Sequence, residues 1–241
     1  MEKLEKYQLF FACGIIALGI FASSLVVASR ISKDENITVT GSASKIVKSD
    51  SAKLRIDIQA KAMNQKDAYA NIKVQNPTVI KYLESKGIEG KDIETKSING
   101  YYNYKTNSNG YTTNEVASYS ASQAIEVSSK DVQKIKEIST DIQNLVDKGV
   151  SLTVDNPEYY YSDLASIKIE LLKEAATDAK QRAQSMLSAA NSRVGKVKSM
   201  KKGVIQNTTP DSTNVADYGI NDTSSIDKKV TAVANVVFKV K

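Results

Sequence analysis

Two pairs of carboxylates sit at spacings that acid–base chemistry uses: Asp155 with Glu158, and Glu170 with Glu174. A hydrolase of that kind needs one carboxyl held protonated near another held ionised. The flanking residues supply no such asymmetry, and Glu170 and Glu174, one helical turn apart, read as a solvated pair. The chain has no histidine, and its single cysteine, Cys13, is embedded in an apolar run. For the chain beyond that run, this excludes zinc sites built on His or Cys, Ser/His/Asp and Cys/His nucleophilic sites, and direct thiol redox chemistry. Intrachain disulfides are excluded everywhere. No catalytic residue, cofactor or metal is expected.

Lys196, Lys198, Lys201 and Lys202 have the composition of a phosphate-binding strip, but the first two alternate along a strand and mark its solvated face. No RNA-binding aromatic signature and no helix-turn-helix pattern accompanies them, so nucleic-acid binding is not expected. The excess of Lys and Arg over Asp and Glu, 33 to 27, favours anionic surfaces without selecting one. Tyrosines are the better lead. Tyr101, Tyr102, Tyr104, Tyr111 and Tyr119 gather around a turn, and Tyr159, Tyr160 and Tyr161 follow later. Cross-strand packing is the first expectation for such rings. An interaction surface, for a second copy or a captured envelope protein or polymer, is the other.

These residues are positioned by a chain of 241 residues with two distinct parts. After a short tail over residues 1–8, Leu9 to Ala28 (LFFACGIIALGIFASSLVVA) runs for 20 residues without a charge, the length of a helix that crosses a bilayer. We expect residues 9–29 to be a single transmembrane anchor and 30–36 a junction. Lys3 and Lys6 are matched by Glu2 and Glu5, so flanking charge does not orient the segment. The alternative is a signal peptide cut near Ala28, although the run is longer than a usual h-region.

Residues 37–241 carry the patterning of one α+β domain. Asn36 to Thr40 and Ala52 to Ala60 read as strands, the second alternating Leu54, Ile56 and Ile58 with polar residues, and the polar stretch between them reads as a hairpin connection. Asn64 to Lys86 takes helical spacing through Ala68, Ile72, Val79, Ile80 and Leu83 and stops at Gly87, with Pro77 expected to kink or split it. Ile93 to Lys105 and Glu115 to Ser128 read as a long hairpin turning around Asn109 and Gly110. A helix over Ser129 to Lys148, a strand to Val154 and the longest helix, Ser162 to Ala190, follow. Val194 to Met200 and Lys229 to Val240 close the chain as strands, separated by a polar loop over 206–227. That order implies antiparallel sheets with packed helices, preceded by the transmembrane segment.

Several of these pieces resemble the SIMPL-domain family of exported and envelope-associated bacterial proteins. Ile37-Thr38-Val39-Thr40-Gly41 is similar to the family's opening strand and glycine, and Lys91-Asp92-Ile93-Glu94-Thr95 to its entry into a tyrosine-bearing strand. The most specific stretch is Ala175-Ala176-Thr177-Asp178-Ala179-Lys180-Gln181-Arg182-Ala183, continuing through Leu187, Ala189 and Ala190 to Val194-Gly195-Lys196-Val197. Ala175, Ala179, Ala183, Leu187 and Ala190 form a narrow stripe that permits close approach to a sheet. Asn191 stands where the family often ends the helix with Gly, and Asn is the next most tolerant residue there. A Pro common before the second strand is absent from Lys48-Ser49-Asp50-Ser51. The resemblance implies a soluble domain outside the cytoplasm, a link to oxidative-stress resistance and assembly into homo-oligomers, rings among them. It carries no catalytic residues.

Overall fold

The computed structural model describes residues 14–25 and 35–241. Residues 14–25 form an exposed helix, α1. No helix among the described residues is long and apolar enough to cross a membrane. The expected span over 9–29 falls partly on residues 9–13 and 26–29, which lie outside the described residues.

The remainder is α+β and divides into two compact units. One unit holds Lys45–Ile167 and Gln206–Val230, the other Lys168–Ile205 and Thr231–Lys241 together with the described residues up to Ser44. Each has its own apolar cluster, and three of the four divisions fall inside continuous elements, which is why no single stretch of sequence marks a boundary.

In the first of these units, β2 (Ser51–Ala62) pairs antiparallel with β4 (Thr112–Ser129), and β4 with β3 (Ile93–Thr106). The short β5 (Leu152–Val154) and β6 (Glu158–Tyr160) border the other side of β2. Leu54, Ile56 and Ile58 point inward together with Ile125 and Val127, as the period-2 alternation requires. Two helices cover that face. α2 (Gln65–Ser85) starts where the Asn64 side chain accepts the Asp67 amide at 3.0 Å, and it buries Ala68, Ile72, Val79 and Leu83. α3 (Val132–Asp141) starts on Asp131, buries Val132, Ile135 and Ile138, and tightens into a 3₁₀ turn (Ile142–Lys148) ended by Gly149 at φ 84°.

α2 runs through Pro77 as one continuous helix, so the stretch is not split in two there. The carbonyl left without an amide partner belongs to Lys73, and both Lys73 and Pro77 are exposed, so solvent satisfies it. Pro77→Ala restores the backbone bond in an otherwise regular helix. We expect it to raise the unfolding free energy by about 1–3 kcal/mol in chemical denaturation.

In the other unit, β1 (Asn36–Lys48), β9 (Asp227–Val240) and β7 (Val194–Lys202) lie in the order β1-β9-β7. The hairpin expected between the first two strands does not form: β1 belongs to this sheet and β2 to the other. Ala175, Ala179 and Ala183 of α4 (Leu164–Ala189) are fully buried against Val39, Ala234, Val236 and Phe238. Ala190, the last member of the expected stripe, is exposed. Asn191 ends the helix in the left-handed conformation, φ 55°.

The stretch read as a polar loop, 206–227, contains a strand, β8 (Gln206–Thr208), whose three residues are buried and which pairs with β9. Its base is locked by Lys228, only 1 % exposed, whose Nζ donates to the Asp222 carbonyl at 2.6 Å and lies 3.8 Å from its carboxylate.

Candidate interaction surface

The tyrosine-bearing hairpin is built from its turn outward. Asn107 accepts the amides of Asn109 and Tyr111 on its side chain, at 3.1 and 2.9 Å, and Gly110 takes φ 82°, where a glycine meets no steric penalty. β3 and β4 then pair from Thr106↔Thr112 down to Ile93↔Val127, with register shifts on either side of Tyr104 and between Thr95 and Ile98. Such irregularities add local twist to the arm.

The five tyrosines divide. Tyr101, 67 % exposed, Tyr102, Tyr104 and Tyr111 present their rings to solvent, with Val116 beside them. Tyr119 does not belong to the surface: it is 4 % exposed and joins the apolar core. Tyr102 stands edge-on to it, ring centroids 4.7 Å apart at 77°, and Tyr69 of α2 approaches at 6.2 Å. The Tyr119 ring lies across Gly100, where a Cβ would meet Tyr119 Cε1 at 2.6 Å and the Ser120 carbonyl at 2.5 Å. An isolated glycine inside a strand pattern signals such a close approach, and Gly100 is the sequence clue to it. Tyr159 is likewise a core residue, 6 % exposed.

β3 is the outer strand of its sheet, and Ile98–Tyr104 contains no charged residue. β5 and β6 are three residues each, and β7 carries Lys196, Lys198, Lys201 and Lys202, all four exposed. β1, an outer strand of the other sheet, carries Lys45 and Lys48 but is uncharged from Asn36 to Ser44 and has no aromatic ring there. Next to Tyr101 an open groove of about 690 Å³ is lined by Lys61, Asn71, Val74, Ser120 and Ser122 among others.

The chain belongs to the SIMPL family. Residues 37–238 match that family, described as a protein of unknown function (DUF541). No curated protein matches the chain. The matched stretch begins in β1 and ends in β9, so both units of this SIMPL-family chain contribute to it.

The carboxylate pairs are placed as follows. Asp155 and Glu158 line a recess of about 260 Å³ together with Arg55, Glu126 and Tyr160. Arg55 lies 3.6 Å from Glu126 and 3.9 Å from Asp155, and its main partner is Asp57 at 2.9 Å. Tyr160 Oη donates to Glu158 at 2.5 Å, and that bond, with burial, pushes the phenol up to about 12. In this recess Asp155 stands near a guanidinium and Glu158 accepts a phenol proton. Glu170 and Glu174 are exposed on α4.

Proposed function

We propose that this SIMPL-family chain is a non-enzymatic interaction module, tethered to the cell membrane with its folded part outside the cytoplasm, that self-associates. Its role is envelope maintenance or stress protection. The observation that carries the reading is the β3 edge: seven uncharged residues, Ile98–Tyr104, on an outer strand with three exposed tyrosine rings, whereas the uncharged stretch of the outer strand β1, Asn36–Ser44, carries no aromatic side chain. Tyrosine gives large contact area with few torsions to freeze, which suits a subunit contact. The 20-residue uncharged run from Leu9 to Ala28 supports the tether.

The test is the native mass of detergent-extracted full-length protein, by light scattering with intact-chain mass spectrometry. We expect a defined oligomer of uncleaved chains. Tyr101→Lys with Tyr104→Lys places charges on the edge and should shift the mass to smaller species while the far-UV circular dichroism stays unchanged, since both rings are exposed. A chain that stays monomeric over a wide concentration range sinks the reading. If it were also cleaved near Ala28, an exported binding module would be the better description, and the groove beside Tyr101 the place to seek its ligand.

A further inference from the structure

The soluble part is basic, yet residues 206–227 contain Asp211, Asp217, Asp222 and Asp227 and no Lys or Arg. Asp222 is committed to the Lys228 lock. Asp211 and Asp217 instead sit in a compact loop, 209–220, closed at its neck. There the Asn207 amide donates to the Ile220 carbonyl at 2.9 Å, and the Asp222 amide to the Asn207 carbonyl at 2.9 Å. The buried Gln206 reaches into the loop, its Nε2 donating to the Ala216 carbonyl at 2.8 Å. The loop is therefore shaped before any partner arrives, which reduces the ordering cost of docking. At its surface stand two large apolar side chains, Val215, 78 % exposed, and Tyr218, 91 % exposed.

The β7 edge has the opposite charge and the same apolar content. Its exposed lysines surround Val197 and Met200, each about half exposed, and β7 itself contains no acidic residue. Register shifts at Val197 and the lysines discourage backbone pairing, so this edge offers side chains rather than a strand to extend. Among the described residues, Lys196, Lys201, Lys202, Asp211 and Asp217 make no ion pair within the chain.

We infer that the 209–220 loop of one copy docks on the β7 edge of the next. Tyr218 and Val215 meet Val197 and Met200, and Asp211 and Asp217 face the β7 lysines. The occupant is a second copy because the two surfaces, both on this chain, match in charge and in apolar content. Each copy contributes a different surface at each contact, so the contact is head-to-tail, the kind that generates closed rings when the rotation permits. It uses none of the hairpin tyrosines and can coexist with the β3 contact. The inference rests on the self-assembly reading.

A charge swap in detergent-extracted full-length protein tests it by light scattering against concentration. Asp211→Lys with Asp217→Lys should raise the concentration needed for half-assembly at least tenfold, because like charges are brought face to face. Lys196→Glu with Lys201→Glu should do the same, and the fourfold variant combining both should recover most of the wild-type behaviour. A wild-type chain that never assembles overturns self-assembly and this contact with it. An oligomer indifferent to both reversals, or a fourfold variant no better than the pairs, overturns this contact alone and leaves the hairpin-edge reading standing.

Discussion

Gly41→Ala is expected to destabilise the protein by about 3 kcal/mol or more, at the upper end of what a single added methyl does in a packed interior. A Cβ at Gly41 would lie 2.1 Å from the Ala175 carbonyl oxygen, 2.3 Å from the Ala179 nitrogen and 2.8 Å from the Ala179 Cα. All three are backbone atoms of α4, so no side chain can swing away. The helix itself would have to retreat from β1. That retreat would uncover Ala175, Ala179 and Ala183 from Val39, Ala234, Val236 and Phe238, and small side chains cannot bridge the gap that opens. It would also strain the tie beside it, where the Ser42 amide donates to Asp178 at 2.8 Å. That amide, and then Arg182 at 2.7 Å, hold the Asp178 carboxyl below its usual range. Chemical denaturation gives the loss, and hydrogen exchange should place it in α4 and β1. Gly90 is the control, since an added methyl there would have nothing within 4 Å and the backbone is not left-handed: Gly90→Ala should change stability by less than about 0.5 kcal/mol. A Gly41→Ala protein within about 1 kcal/mol of wild type would show that β1 and α4 are not in close contact.

Asp222→Ala should cost about 3–5 kcal/mol, the usual penalty for leaving a buried charge without its partner. Lys228 occupies an inward position of β9, in register with Val230, Ala232, Ala234, Val236 and Phe238. Burial pulls its pKa down against the upward pull of Asp222. Burial also opposes ionisation of Asp222, but hydrogen bonds from the Ser224 and Ser225 hydroxyls and the Ser224 amide, with the Lys228 charge, outweigh it and bring its carboxyl from 3.8 to about 2. Removing the carboxylate strips these donors of their acceptor as well. Lys228→Met should be far milder, within about 1–2 kcal/mol of wild type, because it removes the buried ammonium and leaves Asp222 on its serine partners. The asymmetry separates a charge lock from plain packing, for which the two variants would be similarly damaging. A depressed carboxyl pKa has a signed consequence. The stability that ionised Asp222 contributes is fully present above about 4 and is lost as pH falls through about 2. Denaturation midpoints between pH 5 and pH 2 should therefore fall less steeply in Asp222→Ala than in wild type.

Local features of this fold are legible in the sequence because their causes are local. The αL stop at Asn191, the Asn107–Gly110 turn, the caps of α2 and the Ala175/Ala179/Ala183 stripe each follow from a few adjacent residues and their conformational preferences. The family, too, can be recognised from the order of these pieces, and the match over residues 37–238 bears that out. Pro77 does not split α2: the local rule counts the missing bond, while the solvent exposure of that bond is set by which face of α2 turns inward.

The candidate surface is legible by half. Composition and the hairpin pattern single out Tyr101, Tyr102, Tyr104 and Tyr111, and all four are exposed. Tyr119 has the same chemistry and the same alternating environment, yet it is buried, because α2 brings Tyr69 to its ring and Gly100 leaves it room.

By itself, then, the sequence determined the longer elements and most of their inward faces, the absence of histidine or cysteine chemistry beyond the apolar run, and the family. Only the tertiary structure decided which strands are neighbours. β1 pairs not with the strand that follows it but with β9, nearly 200 positions later: Thr40 donates its hydroxyl proton to the Asn235 side chain at 2.7 Å. It also decided that Lys228 is buried beside Asp222 and that the chain condenses around two cores. The physical reason is that a period of two states which face a strand buries, but its backbone amides and carbonyls are the same for every possible partner. The choice of partner is made by packing among residues far apart in the chain, and that leaves no mark on any short stretch of sequence.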